Sequence, residues 1–204
     1  DGIISIAGIV IGVAAATSNA RSILIAGLSG TLAGMISMCM GEYVSVSTQK
    51  DSQKMALISE KQRLQNQYEH EFDYVQKKYE AQDIDPQLAK QATKELMEKD
   101  ALGTAVQERY GFNPNEFTSP YAAAIASFLS FPTGSILPMV AVTVSPANVR
   151  ILATAIAVLI ALLITGYFAA VLGKSNRIKS MIRNAAAGLL TMGVTYLIGQ
   201  LFAR

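Results

Sequence analysis

The stretch Ser22–Asp51, SILIAGLSGTLAGMISMCMGEYVSVSTQKD, decides how this chain folds, because an apolar segment passes without a break into a charged one. Gly30, Gly34, Met38 and Glu42 follow at four-residue steps, so they lie along one side of a helix. The glycine pair lets a second helix approach closely, and the same side then offers a thioether and a carboxylate. This pattern predicts a close-packed pathway that ends in a metal site. The simpler interpretation is that the glycines only pack, Met38 fills space and Glu42 marks the membrane surface.

Charge separates the membrane segments from a soluble one. Of the 204 residues 51% are hydrophobic, and residues 46–118 hold 13 of the 15 acidic side chains. Outside this insert only Asp1 and Glu42 are acidic. A charge in hydrocarbon costs from about 3 to more than 10 kcal/mol, so a membrane carboxylate usually marks a site.

Five apolar segments are predicted to span a membrane. They are Gly2–Ala16, Ser22–Ser45, Tyr121–Thr143, Val149–Leu172 and Met181–Phe202. The first covers only about 22 Å of a hydrocarbon layer of about 30 Å, so we expect residues preceding Asp1 to complete it. Pro132, Gly134 and Pro138 predict that the third span is kinked or broken. Gly188, Gly193 and Gly199 predict close packing of the fifth.

The insert 46–118 is predicted to form three helices. The first carries an apolar stripe with steps of three or four, formed by Leu64, Tyr68, Phe72, Val75 and Tyr79. Asp85-Pro86 begins the second helix, with Leu88, Ala92 and Leu96 on its inner face. Asp100 caps the third, which ends before Gly111.

The fold class is therefore an all-α membrane protein with five transmembrane helices and a three-helix cytoplasmic domain inserted between spans 2 and 3. Its predicted divisions are 1–45, 46–118 and 119–204. The connection 173–183 carries four basic residues, whereas 17–21 and 144–150 carry one each. The positive-inside rule then places the insert and the connection 173–183 in the cytoplasm.

Enzyme and nucleic-acid functions are not indicated. These residues contain no H-E-x-x-H, no C-x-x-C and no P-loop, and Cys39 is the single cysteine. A net charge of +2 without a basic aromatic patch does not indicate nucleic acid. We predict a secondary transporter that needs no cofactor.

Asp1, Met38 and Glu42 form the candidate site of the membrane region. Counted outward from the turn between the first two spans, Asp1 and Met38 reach similar depths, and Glu42 lies one helical turn, about 6 Å, further out. Carboxylates bind divalent cations, and a thioether adds preference for softer first-row metals. The alternative is that Asp1 caps a helix and Met38 is ordinary core.

Four segments carry a resemblance to a known family. They are D-G-I-I-S at the start, M-x-M-G-E-Y-V-S-V-S-T-Q-K-D at Met38–Asp51, E-L-M-E-K-D-A-L at Glu95–Leu102 and L-S-F-x-x-G-x-x-L-P at Leu129–Pro138. Together they resemble the vacuolar iron transporter family over nearly the whole chain. The resemblance implies a homodimer in a lipid bilayer that exports Fe²⁺, and often Mn²⁺, from the cytosol in exchange for protons, along a pathway between the protomers.

The same resemblance implies roles for particular residues. The pathway aspartate falls on Asp1 and the pathway methionine on Met38, whereas a glutamate of the plant members falls on Gly30. In the cytoplasmic domain, which would gather a regulatory metal, acidic ligand positions fall on Glu60 and Glu71. Four further ligand positions fall on residues that do not suit a cation, Arg63, Tyr74, Ala105 and Arg109. A guanidinium cannot ligate a cation and repels it.

Two alternatives stay open at this point. Glu69, Asp73, Glu95, Glu98 and Glu108 form either a different metal site or only a solvated face. The whole protein is either the transporter described or a non-transporting, membrane-anchored metal sensor or scaffold. Short loops favour a bacterial plasma membrane; in a eukaryote a vacuolar-type membrane would be expected.

Overall fold

The computed structural model describes residues 1–203 and contains seven α-helices. They are α1 Gly2–Ala16, α2 Ala20–Asn66, α3 Tyr68–Glu80, α4 Pro86–Tyr110, α5 Pro120–Val144, α6 Arg150–Leu172 and α7 Arg177–Leu201. Residues 1–203 contain no β-strand. The all-α class predicted from the sequence is confirmed.

Four of the helices, α2, α5, α6 and α7, are long and apolar enough to cross a membrane. Helix α1 is apolar but has only 15 residues. Internal contacts divide the chain into two units, Asp1–Gly41 with the residues from Ala124 onward, and Glu42–Ala123. The membrane and cytoplasmic assignments of 1–45, 46–118 and 119–204 stay predictions.

Helix α1 is the core of the first unit. Its Ile6 and Val10 pack in one cluster with residues of α2 and α5, and its Ala7 and Ile11 pack in a second with residues of α6 and α7. All four side chains are at most 2% exposed. A helix that is largely apolar is expected to be mostly buried, and of the residues Gly2–Ala16 only Ser5 and Ile9 are exposed.

Glycines allow two helix backbones to approach α1. A Cβ on Gly2 would overlap the backbone carbonyl oxygen of Phe131 in α5. A Cβ on Gly199 would overlap the carbonyl oxygen of Gly12 in the same way. The predicted packing role is thus confirmed for Gly199, but it is not found for Gly193 within residues 1–203, where its Cβ would meet nothing within 4 Å.

Helix α5 continues through both internal prolines, Pro132 and Pro138, so the span is not broken, and the alternative of a kink stays a prediction. Hydroxyl groups nearby bond to carbonyls within the helix: Ser135 Oγ donates to Phe131 O at 2.9 Å and Thr133 Oγ1 to Leu129 O at 2.7 Å. The prolines themselves remove the backbone donors to the carbonyls four residues earlier, those of Phe128 and Gly134.

The second unit consists of the end of α2 together with α3, α4 and the start of α5. Without glycine or proline to stop it, α2 runs on to Asn66, as the sequence predicts. It then breaks at Gln67, whose φ of −145° and ψ of 47° are not helical. This break splits the predicted amphipathic helix, since Leu64 ends up on α2 and the rest of its stripe on α3.

Both predicted caps of this unit are confirmed. Asp85 Oδ1 accepts hydrogen bonds from the backbone N–H groups of Gln87 and Leu88 at 2.9 and 3.4 Å. Asp100 leaves the helical conformation inside α4, and its Oδ1 accepts from Gly103 N at 2.8 Å. Gly111 ends α4 with a φ of 74°, a left-handed conformation that glycine adopts without strain.

The inner face of α4 differs from the prediction by one residue. Leu88 and Leu96 are 59% and 42% exposed, whereas Ala89, Thr93 and Met97 are buried. Thr93 can be buried because its hydroxyl donates to Ala89 O within the same helix, at 2.8 Å. The sequence pattern missed this face because it counts threonine as polar and leucine as core.

Candidate functional site

A groove of about 470 Å³ in the first unit brings Asp1 and Met38 to one surface. Its polar and small lining residues are Asp1, Ser5, Gly30, Ala33, Gly34, Ser37 and Met38. Asp1 immediately precedes α1 and Met38 lies on α2, so residues from both ends of the first helical hairpin line the same groove, while their role as metal ligands stays a prediction.

The two glycines of α2 shape this groove, although not by admitting a helix backbone. A Cβ on Gly30 would come within 2.6 Å of Ile9 Cδ1, and a Cβ on Gly34 would overlap the Phe131 ring. The glycines therefore make room for side chains of α1 and α5. The prediction of a second backbone packed on Gly30-x-x-x-Gly34 is wrong within this chain.

Met38 lies between the apolar core and the groove. It is half-buried and packs against the cluster that contains Ile6 and Phe131, while it also lines the groove. Asp1 is exposed. One carboxylate, one thioether and the hydroxyls of Ser5 and Ser37 make a partial ligand set for a divalent first-row cation.

The third predicted membrane ligand, Glu42, belongs to the second unit, where its side chain is half-buried. Within residues 1–203, no three His, Cys, Asp or Glu side chains are grouped so as to hold a metal ion. A complete resident metal site made of such side chains is therefore not present in the described part of the chain.

The second unit contains a buried acidic pair, Glu60 of α2 and Glu71 of α3, which are 0% and 1% exposed. Arg109 of α4 pairs with both. Its Nη2 donates to Glu71 Oε2, and its Nε lies 3.1 Å from Glu60 Oε2 in an ion pair that is not aligned as a hydrogen bond. We call Glu60, Glu71 and Arg109 the carboxylate–arginine cluster.

Further groups surround this cluster. The Arg109 guanidinium carbon stacks 3.8 Å from the centroid of the Tyr74 ring. Arg63 Nη1 lies 3.9 Å from Glu60 Oε2, and His70 Nδ1 lies 3.5 Å from Glu71 Oε1. Five of the six positions that the family resemblance identified as ligand positions thus come together, but two of them are occupied by arginine.

The electrostatics favour a charged Glu71. Burial raises the pKa of this carboxyl, but the hydrogen bond that Arg109 donates and the positive charge of Arg109 outweigh burial, so the pKa lies below its ordinary value. Burial lowers the pKa of Arg109, and the hydrogen bond to Glu71 and the two carboxylates more than restore it. The pair of charges is therefore maintained at neutral pH.

The five acidic residues considered as an alternative metal site are not grouped as one within residues 1–203. Glu69, Asp73, Glu95 and Glu98 are exposed. Glu108 accepts a hydrogen bond from the hydroxyl of Tyr79 at 3.0 Å. Because no metal-holding group occurs in residues 1–203, the interpretation of these residues as a solvated face is favoured.

Sequence reasoning found Glu60 and Glu71 but missed what Arg109 does. It identified Arg109 only as a residue unsuited to a ligand position. The signal that could have found its role is the combination of two acids on neighbouring helices with a basic residue on the third, since a buried carboxylate needs a charged or hydrogen-bonding partner.

Comparison with known proteins places the chain in a family. The family model described as "VIT family" matches residues 1–200. The chain is 33% identical over 188 residues to the vacuolar iron transporter of Acanthamoeba castellanii, with 92% of this chain and 72% of that protein covered. It is 32% identical over 203 residues to vacuolar iron transporter homolog 1 of Oryza sativa subsp. japonica, with 99% and 69% covered.

A third relative agrees with these two. Vacuolar iron transporter homolog 2.1 of Arabidopsis thaliana is 30% identical over 197 residues, with 96% of this chain and 74% of that protein covered. These proteins are named as transporters and not as enzymes. The resemblance predicted from the four sequence segments is confirmed, and the chain belongs to the VIT family.

Proposed function

We propose that this protein is a proton-coupled transporter that exports divalent metal, Fe²⁺ or Mn²⁺, from the cytosol. The observation that carries the proposal is the groove in which Asp1 and Met38 meet, in the membrane-type unit of a chain whose relatives are named vacuolar iron transporters. Metal is the cargo here, so ligands that release it matter more than a complete coordination shell.

The membrane arrangement behind this proposal has five spans. Helix α1 is the fifth, in addition to the four long apolar helices. Residues 46–118 lie in the cytoplasm, on the same side as the basic connection 173–183. The membrane is a bacterial plasma membrane, or a vacuolar-type membrane in a eukaryotic cell.

A homodimer would complete the ligand set. One groove offers a single carboxylate and a single thioether, whereas two facing grooves offer two of each. Helix α2 also carries a continuous exposed apolar stripe of five side chains between 50% and 57% exposed, formed by Ile25, Leu28, Leu32, Ile36 and Met40. The pathway in this proposal runs between two copies of the grooved surface.

Proton coupling follows from the chemistry of the carboxylate. A carboxylate ligates a cation only without its proton, so protons and metal compete for Asp1. Glycine stands at position 30, so Asp1 is the one acidic residue that lines the groove.

The test is flux of Fe²⁺ and Mn²⁺ in proteoliposomes that hold the purified chain, with and without a pH gradient. We expect uptake of at least one of these metals, faster when the destination compartment is acidic. Absence of flux for both metals under either gradient would refute transport and favour the membrane-anchored sensor or scaffold. Flux that ignores the gradient would refute the proton coupling alone.

A further inference from the structure

The carboxylate–arginine cluster does not suit the regulatory metal that the family resemblance implies for the cytoplasmic domain. A divalent cation between Glu60 and Glu71 would need the oxygens that now face the guanidinium of Arg109. It would also lie close to a permanent positive charge that cannot be removed by deprotonation.

We infer that Arg109 is a tethered cation, which occupies the place of a divalent metal between Glu60 and Glu71 and makes this domain independent of metal. The inference concerns the second unit alone and does not depend on transport through the groove. Arg109 then has two roles. It joins three helices, and it repels metal from the carboxylates it pairs with.

The geometry of the guanidinium supports this assignment. Two of its nitrogens, Nε and Nη2, each face a different carboxylate, so one planar group joins α4 to both α2 and α3. Tyr74 stacks against it at 3.8 Å and fixes its plane. The Arg109 side chain is only 18% exposed, so most of its surface contacts the domain.

The charges of the carboxylate–arginine cluster nearly cancel, and a bound metal ion would disturb that balance. Burial raises the pKa of the Glu60 carboxyl, which favours its neutral form, and one guanidinium then balances the charge of Glu71. Arg63 adds a further positive charge at the edge of the cluster, with its side chain 43% exposed. A divalent cation entering here would bring an excess of positive charge into a buried place.

Removing the tethered cation should therefore open a metal site. Arg109→Glu replaces the guanidinium with a third carboxylate next to Glu60 and Glu71, and three carboxylates are a ligand set for Mn²⁺. Arg63→Glu makes the same change of charge at the exposed edge, so it is the matched control. Arg109→Lys keeps a tethered cation and should behave as the wild type does.

The experiment counts bound Mn²⁺ by electron paramagnetic resonance in the full chain purified in detergent and stripped with a chelator. We expect Arg109→Glu to bind one more Mn²⁺ per chain than the wild type, and the added Mn²⁺ to be lost when Glu71→Gln is combined with it. Arg63→Glu and Arg109→Lys should bind the same number as the wild type.

Two results would overturn the inference. One is an Arg109→Glu chain that folds, as judged by circular dichroism and size exclusion, but gains no Mn²⁺. The other is a wild-type chain that loses a bound Mn²⁺ on Glu60→Gln or Glu71→Gln, because the cluster would then bind metal with Arg109 in place. The second comparison decides the matter even if Arg109→Glu does not fold, and neither touches Asp1 or Met38.

Discussion

Replacing Arg109 by methionine keeps an unbranched side chain and removes the guanidinium with its charge, so it isolates what the guanidinium does for the second unit. The variant leaves Glu60 and Glu71 buried, at 0% and 1% exposure, with no positive charge between them. Removing one partner of a buried ion pair costs about 3–5 kcal/mol, since an uncompensated charge stays behind. We expect a loss of that size in the free energy of opening α3 and α4.

Hydrogen exchange followed by mass spectrometry measures this loss, because it reports the free energy of local opening peptide by peptide. A factor of ten corresponds to about 1.4 kcal/mol, so protection of the slowest amides in α3 and α4 should fall by roughly 10²- to 10⁴-fold. The matched control is Arg63→Met. Its side chain is 43% exposed and 3.9 Å from Glu60, and an exposed pair contributes about 0–1 kcal/mol.

The pH dependence gives an independent check with a definite sign. In the wild type the pKa of Glu71 is lowered, so its stabilisation is present above the unfolded pKa of about 4.3 and is lost as pH falls through the folded value. Without Arg109, burial dominates and the folded pKa rises above that of the unfolded chain. The variant should therefore regain stability as pH falls from 7 towards 4, and the gap to wild type should narrow.

A second variant shows whether the cost is electrostatic. Adding Glu60→Gln to Arg109→Met removes one buried carboxylate, so part of the lost protection should return. The reasoning would be refuted if Arg109→Met changed protection by less than about tenfold, the range expected of the Arg63→Met control. It would also be refuted if the gap to wild type widened as pH fell.

Two further predictions concern packing and capping. Gly2→Ala should destabilise the first unit by about 1–3 kcal/mol, because its Cβ overlaps the backbone carbonyl of Phe131, and it should lower the thermal midpoint in detergent. Gly193→Ala is its control and should leave the midpoint unchanged or slightly raised, since no atom of residues 1–203 lies within 4 Å of the added Cβ. Equal effects of the two changes would contradict the packing described. Asp85→Ala should cost about 1 kcal/mol, because two backbone N–H groups at the start of α4 lose their acceptor; unchanged exchange at Gln87 and Leu88 would argue against the cap.

Local rules explain why most helix boundaries could be predicted from sequence. Hydropathy located the apolar helices, and the Asp85-Pro86 pair located the start of α4, because each of these signals acts within a few residues. The break at Gln67 could not be predicted in this way. No glycine or proline marks it, and the chain departs from helical geometry there without a local signal.

The candidate sites, too, could be predicted from the sequence only in part. Asp1 and Met38 could be brought together by counting residues along an antiparallel hairpin, which is a regular geometry. The burial of Glu71 could not be predicted from the sequence, because an acidic residue is expected to be exposed unless its partner is known. That partner, Arg109, lies 38 residues away on another helix, so only tertiary structure joins them.

The most direct test of the central claim, that the groove conducts the metal, is Mn²⁺ flux in proteoliposomes that compare Met38→Ala with Met55→Ala. Met38 lines the groove, whereas Met55 is on the same helix with 63% of its surface exposed and lines no part of the groove. Asp1→Asn is measured beside them because it removes the carboxylate and keeps its shape. The account predicts that Asp1→Asn and Met38→Ala lower flux at least tenfold, on the order of one lost ligand contact, while Met55→Ala keeps it. Flux that is unchanged in Asp1→Asn and Met38→Ala, or lowered equally in all three variants, would contradict it.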